Sequence, residues 1–586
     1  MKRGAIERNF RKIKNQISQI EEIVKHTKTN ALWEHEASIR KKIRQLKEFE
    51  DAGLRDFRSV YERYLELLEY ISERLVDDYN KKNNTSFSFK EIVNHNYNSY
   101  LGSGIISVLI TTHIPKLIST EFDRVFPANP KNEYENARKL ERKFYLHLGE
   151  TNTGKTYNAM QRLKEVKKGI YLSPLRILAL ENYEKLNSEG IKCNLITGEE
   201  EIIVEEAEHV SCTIEKLDVN QEYDIAVIDE IQMINDDQRG NAWTRALLGL
   251  RSKEIHVCGA LNAKRLLIEI IEDCQDEYEF REYKRNIPLE IQYESFSYKH
   301  IQEGDALVVF SKKRVLELAY YYADLGIKAS LIYGDLPPEV RRKQYEQFIN
   351  KDTKILISTD AIGLGVNLPI RRIVFMDVKK FDGNEVRYLN SQEIKQIAGR
   401  AGRTGIYDIG YVASYGTTQD FIVEMINATD QIIQEGVVGP SEAILKIKSL
   451  SLKEKLALWA TREEKTYFYR KMDIGEYLIV LESLKDYKLD EKTQWLLLKI
   501  PFDVSNPTMM DAFLSYVDEF FIAKRDIISK PTCLLKELYE LELYYQKINL
   551  YYSFSKIFNL DFDMQWVYDE RISVSLDINK ILTNIT

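Results

Sequence analysis

The spacing of apolar residues changes twice along the chain and divides it into three parts. Up to about residue 140, apolar residues recur at helical spacing among charged ones, as in YLELLEYISERL from Tyr64. From about 141 to 425 the pattern becomes short β-branched runs, each followed by a segment of helical composition. Beyond about 430 the chain is helical again and rich in Leu, Lys and Tyr. These changes predict an α/β centre between two helical regions.

The β-branched runs of the central part form two sets. The first set is FYLHLG, GIYLSP, HVSCT, IAVIDE and IHVCGA, and the second is ALVVFS, ASLIYG, KILISTD, RIVFMDV and GYVASYG. Strands that alternate with helices predict parallel sheets covered on both faces, and two such sets predict two α/β domains in tandem. The predicted divisions are a helical region at 1–140, α/β domains at 141–285 and 286–425, and a helical region at 426–586.

Length and charge limit the possible functions. A chain of 586 residues exceeds what one hydrophobic core supports and predicts three to five domains, at roughly 100 to 200 residues each. The formal net charge of −8 argues against a surface coated in positive charge. A nucleic-acid partner would therefore have to bind in a local basic groove.

Cysteines, histidines and apolar runs bear on where the chain works. The five cysteines include no CxxC pair and the eight histidines form no cluster at metal spacing, so we expect no structural zinc and a reduced, cytoplasmic setting. The longest apolar runs, such as GIISVLI from Gly104, are shorter than the roughly 20 residues of a membrane helix, so we expect no membrane partner. The basic start MKRGAIERNFRKIK could be a transit peptide, but Glu7, Glu21 and Glu22 and the lack of serine favour a solvated helix face.

A phosphate-binding loop is predicted at GETNTGKTY, from Gly149 to Tyr157. It fits the pattern G-x-x-x-x-G-K-[ST] with Gly149, Gly154, Lys155 and Thr156, and Thr151 lies within it. Glycines let successive N–H groups face one phosphate chain at the positive end of the next helix. Lys155 would reach the β and γ phosphates of a nucleotide, while the Thr156 hydroxyl would ligate Mg²⁺. The alternative is a surface turn with an accidental lysine, and the position between strand and helix argues against it.

Two adjacent carboxylates follow a buried strand in YDIAVIDEIQ. Asp229 would bind Mg²⁺ through water, and Glu230 would orient and deprotonate an attacking water. The two acids could instead begin a solvated helix. However, the apolar run before them aims both at the carboxyl edge of the sheet, where open α/β sheets bind ligands.

A basic site is predicted in QEIKQIAGRAGRTG, from Gln392. Gln396, Arg400 and Arg403 stand at offsets of 0, 4 and 7, which predicts that they share one helix face. Gly399 and Gly402 would each cost about 1 kcal/mol against alanine inside a helix, and close approach of another surface would explain that cost. We expect the two arginines to offset charge on the γ-phosphate bound by the first domain. A basic surface helix that binds nothing is the alternative.

The motifs together resemble those of a superfamily 2 DExH-box helicase. GETNTGKT, DEIQ, STDAIGLGVNLP and QIAGRAGR occur in that order, and SPLRILALE, LITGEE, CTIE and DEIQM resemble the mitochondrial degradosome RNA helicase family and its bacterial relatives. The resemblance runs from about 144 to 415 and continues into KIPFDVSN and YYQKINLYYSFSKIF. It implies two RecA-like domains that sandwich ATP and Mg²⁺, with single-stranded or 3′-tailed RNA across their top. It also implies movement from 3′ to 5′ and admits a ribonuclease partner.

Further site residues follow from this resemblance. Those expected to contact the RNA sugar-phosphate backbone are Pro174, Arg176, Thr197, Gly198 and Thr213 in the first domain and Ser311, Lys312 and Thr359 in the second. Asp360, Gly363 and Gly365 are expected to couple that contact to the nucleotide. The chemistry agrees, because hydroxyls, amides and single cations grip phosphates without reading bases.

Two features leave alternatives open. CGALNA, from Cys258, stands where many helicases carry Ser-Ala-Thr to link hydrolysis to strand separation, so the coupling step is open. The tyrosine pairs at 544–545 and 551–552 could stack on bases, but aromatic residues at helical spacing usually form core, and we favour packing.

These observations predict an RNA-stimulated ATPase that moves along or unwinds RNA. ATP would close the two domains, and hydrolysis would reopen them. A DNA helicase or translocase is an alternative, because backbone contacts do not test for the 2′-hydroxyl. A nucleic-acid-binding scaffold without ATP turnover is another. Retention of all the expected catalytic residues argues against it, namely Lys155, Thr156, Asp229, Glu230, Arg400 and Arg403.

Overall fold

The structure is a computed structural model. It describes residues 3–83, 85–94, 96–112, 122, 125–363, 368–381, 386–403, 405–416, 418–448, 450–462 and 466–585. Gly365, which the sequence assigns to the coupling of RNA and nucleotide, lies outside these residues.

The N-terminal region is a helical bundle. Its helices are α1 (Arg3–His26), α2 (Leu32–Lys47), α3 (Phe57–Asn83), α4 (Phe89–Val93), α5 (Tyr97–Ser103) and α6 (Ile105–Thr111). Apolar residues of α1 are buried every third or fourth position, as at Ile13, Ile17, Ile20 and Val24. The helical expectation for this region is therefore confirmed.

A buried ion pair joins this bundle to the C-terminal region. The Arg40 guanidinium donates to the Asp473 carboxylate at 2.6 Å and to the Gly102 carbonyl at 2.6 Å. The neighbouring Glu36 carboxylate accepts from the Ile105 N–H at 2.7 Å. Burial raises the pKa of Glu36, and Arg40 opposes that rise. The Arg40 charge therefore stabilises the ionised Glu36 carboxylate in this buried position.

The first α/β domain is built on an eight-stranded sheet of order β4-β3-β5-β2-β6-β7-β1-β8. Its strands are β1 (Lys143–Gly149), β2 (Gly169–Ser173), β3 (Cys193–Ile196), β4 (Glu201–Ile202), β5 (His209–Thr213), β6 (Glu222–Ile228), β7 (Arg251–Gly259) and β8 (Glu277–Tyr283). The helices are α7 (Glu135–Arg138), α8 (Lys155–Leu163), α9 (Arg176–Ser188), α10 (Gly240–Gly249) and α11 (Lys264–Asp273). All neighbouring strands are parallel except β3 and β4, so the carboxyl ends of most strands share one edge.

The second α/β domain has a six-stranded parallel sheet of order β11-β12-β10-β13-β16-β9. Its strands are β9 (Leu289–Ile291), β10 (Asp305–Val308), β11 (Ala329–Ile332), β12 (Ile355–Ser358), β13 (Arg372–Phe375) and β16 (Gly410–Ser414), and β14 (Lys379–Phe381) pairs separately with β15 (Val386–Tyr388). The helices are α12 (Lys312–Asp324), α13 (Pro338–Ile349), α14 (Ser391–Ala398) and α15 (Gln419–Asn427). The four strands β10 to β13 are buried throughout, as expected for strands covered on both faces. The predicted fold class, two parallel-sheet domains of the RecA type with helical flanks, is confirmed.

The C-terminal region is helical, with one short parallel strand pair, β17 (Gly436–Val438) and β18 (Tyr469–Lys471). Its helices are α16 (Leu452–Thr461), α17 (Gly475–Ser483), α18 (Glu491–Leu498), α19 (Pro507–Val517), α20 (Leu538–Ile557) and α21 (Met564–Ile585). The four paired tyrosines of α20 are at most 8% exposed, which confirms that they pack in the core. Within the described ranges no helix combines the length and apolar character that a bilayer crossing requires.

Arg40→Met tests how the N-terminal bundle is attached. Methionine keeps the apolar stem but leaves the Glu36 carboxylate buried without a counter-charge, which should cost roughly 3–5 kcal/mol of stability. We expect a lower melting temperature and faster hydrogen exchange in α2 and α5. The loss should shrink at acid pH, because protonation neutralises Glu36, whose pKa burial already raises.

Arg58→Met is the matched control, because the Arg58 side chain is 93% exposed and pairs with Glu62 on its own helix. Its effect should stay below about 0.5 kcal/mol. Equal melting temperatures for the two variants would mean that the buried ion pair does not anchor the bundle.

Candidate nucleotide site and nucleic-acid interface

The predicted phosphate loop connects β1 to α8. Gly149 has φ +155°, and a Cβ there would lie 1.9 Å from the Tyr283 carbonyl oxygen of β8. Gly154, with φ +78°, precedes the first residue of α8 in the left-handed region. Both positions therefore require glycine. Lys155 folds back over the loop, where its ammonium group donates to the Gly149 carbonyl at 3.0 Å and to the Glu150 carbonyl.

Asp229 lies beside this loop at the end of β6. Its carboxylate accepts hydrogen bonds from the Thr156 hydroxyl at 3.1 Å, the Tyr171 hydroxyl at 2.9 Å and the Glu230 N–H at 2.9 Å. Burial raises the pKa of Asp229 to about 6, and the charge of Glu230 adds to the rise. The ionised form is thus disfavoured until a cation arrives.

A divalent cation fits this donor set. The Thr156 hydroxyl and the Asp229 carboxylate supply oxygen ligands of the kind Mg²⁺ prefers. Within the described part of the chain, no group of three or more His, Cys, Asp or Glu side chains could hold a metal ion. Phosphate oxygens and water would therefore have to supply most of the Mg²⁺ ligands.

Gln232 holds the Glu230 carboxylate in place, and the motifs did not identify it as a site residue. Its amide nitrogen donates to the Glu230 carboxylate, and its amide oxygen accepts from the Ala260 N–H at 3.0 Å. A Cβ at Gly259 would lie 2.5 Å from that amide oxygen, so the glycine makes room for the bond. Gln232 therefore links the Glu230 carboxylate to the CGALNA segment after β7. The last letter of DEIQ was the available signal.

The expectation that Gln396, Arg400 and Arg403 share one helix face is wrong. Helix α14 ends at Ala398, and both arginines lie beyond it. Gly402 adopts φ +72°, and its Cα hydrogens face the Gly410 backbone, where a Cβ would lie 2.8 Å from the Gly410 Cα. The helical hydrogen bonds stop at Gly399, whose N–H donates to the Lys395 carbonyl, and Gly402 then redirects the chain, so helical offsets no longer apply to the two arginines. Gln396 stays on α14, next to Gly363.

The expected close approach at Gly399 is confirmed. A Cβ on Gly399 would lie 2.7 Å from the Thr151 Cβ in the phosphate loop of the first domain. Two more bonds cross the same boundary: the Asn152 amide donates to the Gly402 carbonyl at 3.2 Å, and the Arg285 guanidinium donates to the Gly399 carbonyl at 2.6 Å. The arginine loop of one domain thus lies directly on the phosphate loop of the other.

Arg400 lies close enough to Asp229 and Glu230 for their charges to act on it, but its guanidinium is held by a neutral group. Its guanidinium donates to the Gly363 carbonyl at 2.6 Å. Burial lowers the pKa of Arg400, while the charges of Glu230 and Asp229 raise it. Within the described residues, Arg403 forms no ion pair. Asp360, in contrast, pairs with the Lys380 ammonium at 2.9 Å and not with the phosphate loop.

Asn262, in the CGALNA segment, bridges the two domains and was also missed. Its amide donates to the Gln392 side-chain oxygen in the first turn of α14 at 2.9 Å and to the Gln431 carbonyl at 3.1 Å. The segment that departs from Ser-Ala-Thr therefore contacts the helix that leads to Arg400. The departure itself was the signal in the sequence.

The residues assigned to RNA do lie at strand ends. Pro174, Arg176, Thr197, Gly198 and Thr213 follow or end β2, β3 and β5, and Ser311, Lys312 and Thr359 follow β10 and β12. In parallel sheets these positions share the carboxyl edge, where ligands bind. Several of their polar groups have partners within the chain. The Thr197 hydroxyl accepts from the Glu200 N–H at 2.9 Å, and the Ser311 hydroxyl caps α12 through the Arg314 N–H at 3.3 Å.

The two cations of this edge are paired with carboxylates. The Arg176 guanidinium lies 2.6 Å from Glu199, 3.0 Å from Glu200 and 3.1 Å from Glu339. The Lys312 ammonium is paired with Glu542 of α20. The structure thus brings the predicted cations to the expected edge, but it gives each an internal counter-charge.

Three parts of the chain match known domains. Residues 130–283 match the DEXQ-box helicase domain of Suv3, residues 289–405 match the helicase conserved C-terminal domain, and residues 538–584 match the C-terminal domain of the ATP-dependent RNA helicase SUV3. The last match covers most of α20 and α21.

Similar whole proteins are mitochondrial helicases. The ATP-dependent RNA helicase SUV3 of Candida albicans is 40% identical over 334 residues, which is 56% of this chain and 45% of that protein. DExH18 of Arabidopsis thaliana is 34% identical over 67% of this chain and 52% of that protein. SUPV3L1 of Homo sapiens is 34% identical over 72% of this chain and 57% of that protein. The chain thus spans about half the length of these relatives.

The expectation of a cytoplasmic location is wrong. These relatives are all named as mitochondrial helicases, which points to mitochondria and not to the cytoplasm. The reasoning failed because cysteine usage reports only the redox setting, and it does not distinguish one reducing compartment from another.

The domain matches agree with the geometry of the site. The phosphate loop, the DEIQ acids and the arginine loop meet at one boundary between two RecA-like domains. The matched domains include that boundary and the C-terminal hairpin beyond it. The chain therefore carries the Suv3 helicase domain, the helicase C-terminal domain and the SUV3 C-terminal domain, in the arrangement of a superfamily 2 helicase.

Proposed function

We propose that the chain is an ATP-dependent RNA helicase or translocase whose ATP site forms between its two α/β domains. The contact between Gly399 and Thr151 carries this proposal, because it brings Arg400 of one domain to the acid pair of the other. RNA is the proposed substrate because the SUV3 and SUPV3L1 relatives are named ATP-dependent RNA helicases. Movement from 3′ to 5′ and a ribonuclease partner stay predictions from the resemblance.

The residues at the boundary divide the work of hydrolysis. Lys155 binds the β and γ phosphates of ATP, and Thr156 and Asp229 would hold Mg²⁺, which neutralises phosphate charge. Glu230, held by Gln232, accepts a proton from water as the water oxygen bonds to the γ-phosphorus. The bond from the γ-phosphorus to the β–γ bridging oxygen breaks. Arg400 offsets the charge that builds on the transferred group.

Closure of the two domains follows from the same contacts. Since Arg400 and the Gly399 backbone complete the site from the second domain, ATP favours the closed arrangement. Loss of the γ-phosphate removes the anion that these groups share with Lys155, and the domains can separate. RNA held at the carboxyl edges of both sheets would then move with them.

ATP hydrolysis with and without single-stranded RNA tests the proposed function. We expect RNA to raise kcat about tenfold or more, because closure orders the catalytic groups. Lys155→Ala and Glu230→Gln should each lower kcat by roughly 100-fold or more. Phosphate release assays measure both effects.

Two outcomes would favour the alternatives. Equal stimulation by matched DNA and RNA strands would favour a DNA translocase. Nucleic-acid binding with no hydrolysis in the wild type would favour a scaffold. An unaltered rate in Glu230→Gln would contradict the assignment of the general base.

Asp229→Asn should separate stability from activity. Asparagine keeps the oxygen that accepts from Thr156 and Glu230 but removes the charge that burial disfavours, so we expect a higher melting temperature at pH 7.5. Turnover should fall by roughly 100-fold or more, because the metal loses its carboxylate. The pKa of Asp229 is raised to about 6 in the folded chain, so folding takes up a proton and the wild-type penalty disappears as pH falls from 7 towards 4.

The stability advantage of Asp229→Asn should therefore be largest above pH 6 and vanish near pH 4. Asp218→Asn, at an exposed position in the same domain, is the control and should change neither melting temperature nor turnover. A variant of Asp229 less stable than wild type at pH 7.5 would contradict the charge argument.

Asn262→Ala and Gln392→Ala test coupling across the domain boundary. Each removes one side of the 2.9 Å amide bond, so we expect each to lower RNA-stimulated kcat about fivefold with little change in the KM for ATP. The double variant should lose no more than Asn262→Ala alone, because Asn262→Ala already breaks the bond to Gln392 as well as the bond to the Gln431 carbonyl. Asn427→Ala, at an exposed position on α15, is the control. Fully additive losses would mean that the two side chains act separately.

A further inference from the structure

Helix α20 lies across the cleft between the two α/β domains. Glu542, Tyr545 and Ser553 share one of its faces and span about 16 Å at 1.5 Å per residue. The Glu542 carboxylate accepts from the Lys312 ammonium and from the Tyr333 hydroxyl, both in the second domain. At the other end, the Ser553 hydroxyl donates to the Gly198 carbonyl of the first domain at 3.3 Å.

Tyr545 sits where the two domains meet. Its hydroxyl donates to the Glu339 carboxylate of α13 at 2.8 Å and accepts from the Arg176 guanidinium of α9 at 3.1 Å. Arg176 also donates to Glu339 at 3.1 Å, so this ion pair crosses between the domains. Helix α20 therefore contacts Lys312 and Arg176, the two cations assigned to the RNA edge.

The second helix of the hairpin fixes α20 in this position. The Arg571 guanidinium of α21 donates to the Glu199 carbonyl of the first domain at 2.6 Å. The Asn579 side chain accepts from the Gln344 amide of the second domain at 2.9 Å. The α20–α21 hairpin thus holds an acidic side chain against one wall of the cleft.

The Glu542 carboxylate offers Lys312 the same chemistry as an RNA phosphate. Both are oxygen anions that accept charge-assisted hydrogen bonds from an ammonium group. The Glu542 side chain is 5% exposed, while that of Lys312 keeps 26% of its surface open. Burial raises the pKa of Glu542, which marks its charge as unfavourable there. Transfer of the ammonium to a phosphate leaves the Glu542 carboxylate buried without its counter-charge, so RNA binding has to offset that cost.

We propose that the Glu542 carboxylate competes with RNA phosphate for Lys312 and thereby sets the affinity of the cleft between the two α/β domains for single-stranded RNA. The inference rests on the proposed function, since it takes Lys312 as a phosphate contact. RNA binds only after the ammonium exchanges a carboxylate for a phosphate. The cleft therefore binds RNA more weakly than it would if Lys312 had no carboxylate beside it.

Glu542→Gln is the direct test. The glutamine oxygen can still accept from the Tyr333 hydroxyl, while its amide no longer offers a negative charge to Lys312. Binding of a fluorescent single-stranded RNA, measured by anisotropy on the full chain without nucleotide, should tighten at least threefold and up to about tenfold. Glu537→Gln makes the same change at an exposed position just before α20 and should leave the dissociation constant unchanged.

A double-mutant cycle with Lys312→Ala shows whether the effect runs through this pair. The gain from Glu542→Gln should disappear in the Lys312→Ala background. Unchanged or weaker RNA binding in Glu542→Gln overturns the inference, and so does an equal gain when Lys312 is alanine. Should Glu542→Gln fail to fold, Glu542→Asp withdraws the carboxylate by one methylene and should tighten binding in the same direction. No gain in that variant also overturns the inference.

The test is separate from that of the proposed function. RNA-stimulated hydrolysis in the wild type decides the function. If RNA stimulates hydrolysis in the wild type but Glu542→Gln leaves the RNA affinity unchanged, the proposed function stands and this inference fails.

Discussion

The nucleotide site depends on one close contact between the two α/β domains, in which the Gly399 backbone of the second domain packs against Thr151 of the first. No side chain fits between Gly399 and Thr151, and the Asn152 and Arg285 side chains bond to carbonyls of the arginine loop. Each domain alone presents only some of the charged groups. Glycine at position 399 therefore serves the contact between domains and not the local helix, which ends one residue earlier.

The two candidate ligand surfaces differ in how their cations are balanced. At the nucleotide site, Arg400 bonds to the neutral Gly363 carbonyl, so its charge remains available to an anion. At the edge proposed to bind RNA, Lys312 and Arg176 bond to carboxylates, so their charges are already offset. An incoming phosphate thus adds a counter-charge in the first case and replaces one in the second. Phosphate binding at Arg400 is therefore the more favourable of the two, because no existing ion pair has to break there.

Local patterns predicted most of the fold and the nucleotide loop. The buried runs of β10 to β13 and the G-x-x-x-x-G-K-[ST] spacing are features of adjacent residues, so the sequence reveals them. Strand β8, in contrast, reads EYEFREY and gave no apolar run, because an edge strand exposes charged side chains. The end of α14 was misjudged because the chain after Ala398 follows tertiary contacts, such as that of Gly402 with the Gly410 backbone, and helical offsets carry no information about them.

The partners of the predicted cations could not be read from the sequence at all. Glu542 is 230 positions from Lys312, and Tyr545 is 369 positions from Arg176. Motif matching identifies a lysine after a strand but says nothing about which acid a distant helix brings to it. Such pairings depend on how the hairpin packs, and that depends on tertiary contacts spread over both domains.

Arg176 lies both at the boundary between the two α/β domains and at the edge proposed to bind RNA. Its bond to Glu339 joins α9 of the first domain to α13 of the second, so separating the domains must break it. A phosphate at Arg176 would compete for the same guanidinium and weaken that link. The link between the domains and a phosphate contact at this edge therefore depend on the same guanidinium, whereas the contact between Gly399 and Thr151 joins the domains at the nucleotide site without it.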